Sequence, residues 1–227
     1  MTHRTNAAIA GVTYLAYIGV AYPGMVLMSR ATRGDGIPSK LATIAQHESD
    51  IRVVVILSFL SALCAIVLAV TLYAITRDED QEIALLGLTC RAGEGVVGAV
   101  SIIPTLGVLL AAASSSADPA GTHALAAFLL KFGDLTTMIA ASFFAVGSTL
   151  FSYLLLRGRI VPAPLAALGL LGSLVIAIGL PVQMAGYFTG SVTQMMWLPV
   201  GGFEILVALW LIIKGAALPR VAKPAGE

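Results

Sequence analysis

The sequence predicts an all-α fold: a polytopic membrane helix bundle with six transmembrane helices and a short interfacial helix in the first outer loop. Three observations carry this expectation. Hydrophobic residues make up 58% of the chain and charged residues only 11%, against about 25% charged in an ordinary soluble domain. Mean hydropathy is +0.94. The apolar residues also fall in long runs, and about 20 apolar residues in a helix match the ~30 Å hydrocarbon core of a bilayer.

The runs read as helices over about 7–28, 52–76, 83–113, 123–156, 163–188 and 195–213, all within a single integral membrane domain, 1–227, that carries no appended soluble module. The opening MTHRTNAAIAGVTYLAYIGVAYPG reads as the first span rather than a cleaved signal peptide. Its apolar run exceeds a usual signal core, and no small-residue cleavage site follows it. In the first loop, Ser29–Asp50, Pro38 suits a first helical turn, and Ile37, Leu41, Ile44 and Ala45 then share one face opposite Lys40, Gln46 and Glu48. That pattern predicts a short helix lying on the outer interface. The RDEDQE run after the second span places carboxylates at the start of the third helix, where the helix dipole favours them. It lacks the alternating spacing and the glycine of a calcium loop.

The third and fourth runs exceed one crossing, so each is expected to tilt, protrude or break, with Pro104 and Gly133 as the places. Ala65 and Ala69, Gly95 and Gly98, Ala141 and Ala145, and Gly169 and Gly172 predict close helix–helix approach. Gly186 and Gly190 form a G-x-x-x-G across a helix end, and Pro23, Pro181 and Pro199 each remove a helical hydrogen bond. Cys64 and Cys90 lie inside apolar runs without CxxC spacing and read as free thiols.

Basic residues orient the bundle. With the N-terminus inside, Arg4, Arg77, Arg157, Arg159, Lys214, Arg220 and Lys223 face the cytoplasm, and Arg30, Arg33, Lys40 and Arg52 face out. Both termini are therefore expected in the cytoplasm. The loops around Ser114–Thr122 and Thr189–Gln194 contain no Lys or Arg.

Ionisable residues inside the apolar runs are the candidate site. A charge at the bilayer centre costs about 2.5–3.5 kcal/mol on insertion scales. Glu204, in GGFEILVALWLIIKG, is deep wherever the last helix is bounded. Arg91 and Glu94 on the third helix, and Lys131 and Asp134 on the fourth, are spaced to share a face and neutralise each other. Arg91 starts about 12 Å into its run and can snorkel, whereas Glu94 lies a turn deeper. Two readings stand side by side. In one, Glu204 pairs with a cation of another helix, Arg91 first among them, and the network fixes which helices are neighbours. In the other, the carboxylates bind a cation, relay protons or hold the polar head of a small ligand. Gln183, Tyr187, Thr105 and Thr137 can add hydrogen bonds to either arrangement.

Enzyme chemistry is disfavoured. His3, His47 and His123 all fall at segment ends or in loops, and the chain has no HExxH, G-x-S-x-G, P-loop or Rossmann glycine pattern. The sequence thus predicts no cofactor, no metal centre and no nucleic-acid partner. A carboxylate pair such as Glu94 and Glu204 acting as acid and base is the one enzymatic route left.

Taken in order, ESDIRVVVILSFLSALCAIVLAVTLYAIT, LTCRAGEG with its R-x-x-E, FSYLLLRGRIVPAPLAALGLLG and FEILVALWLIIKG resemble the bacterial membrane family catalogued as domain of unknown function 4386. The resemblance runs from about Ala7 to Gly215. It implies a six-helix-type integral membrane protein of bacteria and points at Arg91, Glu94 and Glu204; the expected location is the bacterial cytoplasmic membrane. KFGD stands where the family has a His- and Tyr-containing stretch, which sets Lys131 and Asp134 apart from the family pattern. The expected role is non-enzymatic binding, regulation or assembly. The alternative is a small transporter or proton-coupled carrier that uses Glu204 and Glu94.

Overall fold

Every element of the computed structural model, which describes residues 2–114, 118–187, 193 and 195–216, is a helix or a turn. The helices are α1 (His3–Ala31), α2 (Ile37–Gln46), α3 (Glu48–Thr76), α4 (Gln81–Val100), α5 (Ile102–Ala113), α6 (Pro119–Arg157), α7 (Ala163–Met184) and α8 (Leu198–Ile213). Five segments are long and apolar enough to cross a membrane: α1, α3, α4 with α5, α6 and α7. The sixth expected crossing is a shorter helix, α8, with 16 residues, or about 24 Å at 1.5 Å per residue. It starts at Leu198 rather than 195 because Pro199, which lacks an N–H, suits a first turn.

Local chemistry explains the other differences from the sequence expectation. The third run breaks at Ser101, not at Pro104 itself, since the proline ring collides with the carbonyl four residues back, that of Val100. The expected break at Gly133 does not occur: α6 runs unbroken for 39 residues. A Cβ at Gly133 would stand 3.6 Å from the Pro104 ring, so this glycine faces the proline without interrupting its own helix. α7 stops at Met184 rather than 188. Gly186 at φ +85° lets the Tyr187 N–H reach the Val182 carbonyl (3.2 Å) and closes the helix with a left-handed cap. Gly190, Arg220 and Lys223 lie outside the described residues.

The helices gather into two compact units. The first comprises 1–15, 66–92 and 142–227, and the second 16–65 and 93–141. Within the first, α4 and α6 run antiparallel in a register fixed by large-on-small contacts. Gly87 faces the Phe151 ring, and Gly147 faces the stem of Arg91. α8 packs on α7, where Phe203 covers Gly169 and Val200 covers Gly172, and on α1, where Ala208 and Ile212 crowd Gly11. Cβ atoms at Gly11 and Gly169 would stand 2.7 and 2.6 Å from these neighbours, so only glycine allows the approach. The charged ends of the helices meet here: His3 contacts Asp78 at 3.2 Å, Arg157 contacts Asp80 at 3.0 Å, and Arg4 lies beside Gly215.

The second unit has its own core of Ala31, Leu41, Ile44, Ile51, Val108, Leu109, Ala111 and Ala126. The short helix expected in the first loop is present as α2, with Pro38 in its first turn. Leu41 and Ile44 are its buried residues, packed in that core with residues of α5; Ala45, expected on the same face, is exposed.

Candidate functional site

Arg91 is the one buried lysine or arginine among the described residues, and Glu94 and Glu204 are the buried carboxylates. Arg91 is fully buried at 0% exposure, with Glu204 at 7% and Glu94 at 5%. Each of the three has partners, as buried charges require. Arg91 and Glu204 fall in the first unit, and Glu94, one turn along α4, in the second.

In the first unit, helix packing shapes the place that Arg91 occupies. The α6 glycine Gly147 leaves room for the side-chain stem: a Cβ there would stand 2.8 Å from Cγ and 3.1 Å from Cδ of Arg91. Beyond the stem, the guanidinium carbon lies 4.8 Å from the centroid of the Phe144 ring, one turn back on α6. That is within the ~6 Å over which an aromatic face attracts a cation. Phe144 in turn stacks on Trp197, with centroids 6.1 Å apart and planes 30° apart. Trp197 is the N-cap of α8, the helix that carries Glu204 two turns further on. A continuous run of ring contacts therefore ties Arg91 to the start of that helix. Around Glu204, Phe203, Val207 and Ala208 are buried, and α8 turns Ile205 and Leu206 outward.

In the second unit the Tyr17 hydroxyl donates a 2.7 Å hydrogen bond to Oε1 of Glu94. That length is ordinary for an O–H···O hydrogen bond.

The remaining expected residues do not assemble with these. Lys131 and Asp134 are both exposed, and no ion pair joins them. Gln183 is half-buried near the end of α7, and its side chain hydrogen-bonds no described residue. Tyr187 is 83% exposed. The hydroxyls of Thr105 and Thr137 bond back to the carbonyls of Ser101 and Gly133 in their own chain segment, both at 2.9 Å. Among the described residues, no group of three or more His, Cys, Asp or Glu is placed to hold a metal ion. Cavities of about 390 and 310 Å³ open elsewhere, and neither is lined by Arg91, Glu94 or Glu204.

Sequence reasoning missed Tyr17, Gly147, Phe144 and Trp197. Tyr14 and Tyr17, three residues apart in the first span, were the available signal: polar-tipped rings repeated on one helical face. The other three are ordinary membrane-helix residues until the fold sets them around a cation.

A family model described as Domain of unknown function (DUF4386) matches residues 9–215. No curated protein and no solved structure matches the chain.

Proposed function

The chain belongs to the DUF4386 family, and from that premise and its buried charges we propose a non-enzymatic binding, regulatory or assembly protein of the bacterial cytoplasmic membrane. One observation carries the reading: Arg91 is fully buried, with Gly147 against its stem and the Phe144 ring by its guanidinium. An arginine so held is suited to fixing helix neighbours, with Glu204 of the same unit as its counter-charge. In this reading the chain is a single domain, which is supported by α1, α3, α4 and α6 each contributing residues to both units. α8 serves as the sixth crossing, and both termini are cytoplasmic. The positive-inside pattern supports this orientation. Among the described residues, Arg4, Arg77, Arg157, Arg159 and Lys214 all belong to the first unit, and Arg30, Arg33, Lys40 and Arg52 all to the second.

The test is thermal unfolding of the detergent-purified protein across a panel of cations and small metabolites, with Glu204→Gln beside the wild type. If the carboxylate is a structural partner, the variant melts earlier and no compound in the panel restores the gap. A compound that stabilises only the wild type overturns that role, since selective binding to the native state raises apparent stability.

A second reading, a proton-coupled carrier, rests on the count of buried charges among the described residues, two carboxylates to one guanidinium. An intramembrane carboxylate without a matching cation is the kind of group that carriers use to couple ions or protons. Liposomes carrying the wild type but not Glu94→Gln or Glu204→Gln would then take up protons with a co-substrate. Equal uptake by all three sinks that reading.

A further inference from the structure

Three helices in the first unit end in a left-handed residue, and two of them use glycine: Gly186 after α7 at φ +85° and Gly215 after α8 at φ +74°. The end of α6 does not. There the left-handed position is Arg159, at φ +51° the one non-glycine residue with positive φ among the described residues. The cap is otherwise regular. The Ile160 N–H reaches the Leu155 carbonyl at 3.0 Å and the Arg159 N–H reaches that of Leu156 at 3.2 Å. A glycine, Gly158, stands next door without taking the conformation. Arginine is strained where glycine is free, so its side chain is the reason to look further.

Arg159 lines the 390 Å³ cavity, together with Ile160, Val161, Pro162, Trp210 and Lys214. Arg159 and Lys214 are exposed at its rim, and Ile160 and Val161 are buried in its wall. The neighbouring cations are already matched, Arg157 by Asp80 and Arg77 by Asp78. Arg159 and Lys214, by contrast, form no ion pair with any described residue. Ala163, the first residue of α7, also lines the cavity, so the positive end of that helix dipole adds to the two cations.

We infer that this groove is a binding site for the phosphate headgroup of an anionic phospholipid. The charge calls for an anion, and the apolar wall with its half-buried indole calls for a molecule with a lipid body. The cavity lies where α6, α7 and α8 end or begin, the level at which headgroups meet spanning helices and where tryptophan is favoured. Arg159 and Lys214 grip the phosphate, Trp210 packs against the glycerol and upper acyl region, and Ile160 and Val161 close the apolar side. A free phosphate would use the cations and gain nothing from that wall.

The test uses the full chain in neutral detergent, titrated with phosphatidylglycerol, phosphatidylcholine or inorganic phosphate and followed by thermal unfolding. Wild type, Arg159→Gly, Lys214→Gln and the double variant are compared. Phosphatidylglycerol is expected to raise the melting temperature of the wild type, and the other two additives are not. Affinity should fall about fivefold for each cation removed, the usual weight of one basic residue at an anionic surface. Arg159→Gly is the discriminating variant: with no lipid present it should melt higher than the wild type, because glycine relieves the backbone, yet it should respond less to phosphatidylglycerol. The proposal is overturned if the wild type does not respond, if the double variant responds with wild-type affinity, or if phosphatidylcholine or inorganic phosphate matches phosphatidylglycerol. Lys214→Gln decides alone should the glycine variant not fold.

Discussion

Replacing Gly147 by alanine tests how Arg91 is held, because a single methyl group enters the space its stem occupies. The new Cβ would stand 2.8 Å from Arg91 Cγ, 3.1 Å from Cδ and 3.2 Å from the Arg91 backbone nitrogen. Comfortable carbon contacts begin at about 3.5 Å, so the stem has to move by about 0.7 Å. It has little freedom to do so with its guanidinium over Phe144, and the backbone nitrogen moves only if α4 moves. Overpacking of this kind costs about 1–3 kcal/mol. Alanine returns about 1 kcal/mol through its better helix propensity. The expected net loss is thus up to about 2 kcal/mol, or up to roughly 8 °C in melting temperature for a chain of this size. Gly98 on α4 is the control, since a Cβ there meets nothing within 4 Å. Gly98→Ala should gain up to about 1 kcal/mol from propensity alone. Thermal unfolding in one detergent reads both variants. If Gly147→Ala rises together with Gly98→Ala, the stem is not held against α6 and the account of Arg91 fails.

Three further outcomes follow from the same geometry. Tyr17→Phe keeps the ring and removes the hydroxyl that donates to Glu94, so stability should drop by about 1–3 kcal/mol, the usual cost of removing one partner of a buried hydrogen bond. In a double-mutant cycle with Glu94→Gln the loss should shrink, and additivity would show that the bond carries no energy. The Asp80 carboxyl is held below its ordinary range, first by the Ile83 N–H and, against some desolvation, by Arg157. A depressed carboxyl stabilises fully above its unfolded value of about 3.9 and loses that contribution as pH falls through the lower folded value. The stability gap between wild type and Asp80→Asn should therefore be flat above about pH 5 and close as the medium is acidified below about pH 4; a gap that widens in acid contradicts the assignment. Finally, Lys131→Gln and Asp134→Asn, at exposed positions, should each change stability by no more than about 0.5 kcal/mol. A larger loss in unfolding measurements would return that pair to the polar centre.

Element positions were legible because apolar run length and proline act locally. Pro104 ends α4 through a clash within its own helix, and Pro199 starts α8 for an equally local reason. Gly133 was misread because glycine in a membrane helix serves packing as readily as breaking, and only the position of Pro104 against it tells the two apart. The charged members of the site were legible for a different reason: Arg91, Glu94 and Glu204 stand out against apolar neighbours. Lys131 and Asp134 stood out equally, yet they are exposed. Spacing along one helix says that two residues share a face but not which way the face points. The partners, Phe144, Trp197 and Tyr17, come from other helices, and nothing in their own segments marks them.

The contacts along α4 and α6 bear on one another. Asp80 meets Arg157, Gly87 meets Phe151 and Arg91 meets Gly147. Each step forward on α4 is matched by a comparable step backward on α6, as antiparallel helices require, so all three belong to one register. Sliding either helix by one turn, about 5.4 Å, would carry Arg91 off Gly147 to the level of Phe143 or Phe151, leaving no room for its stem. The same slide would pull Asp80 away from Arg157. A buried arginine is costly in any register, but the cost is least where a glycine faces its stem and an aromatic face receives its head. On the structural role proposed above, Arg91 would select among helix alignments more than it adds to stability. That is the role in which buried charges are best attested, and it explains how an intramembrane cation can serve a bundle whose described cavities lie elsewhere.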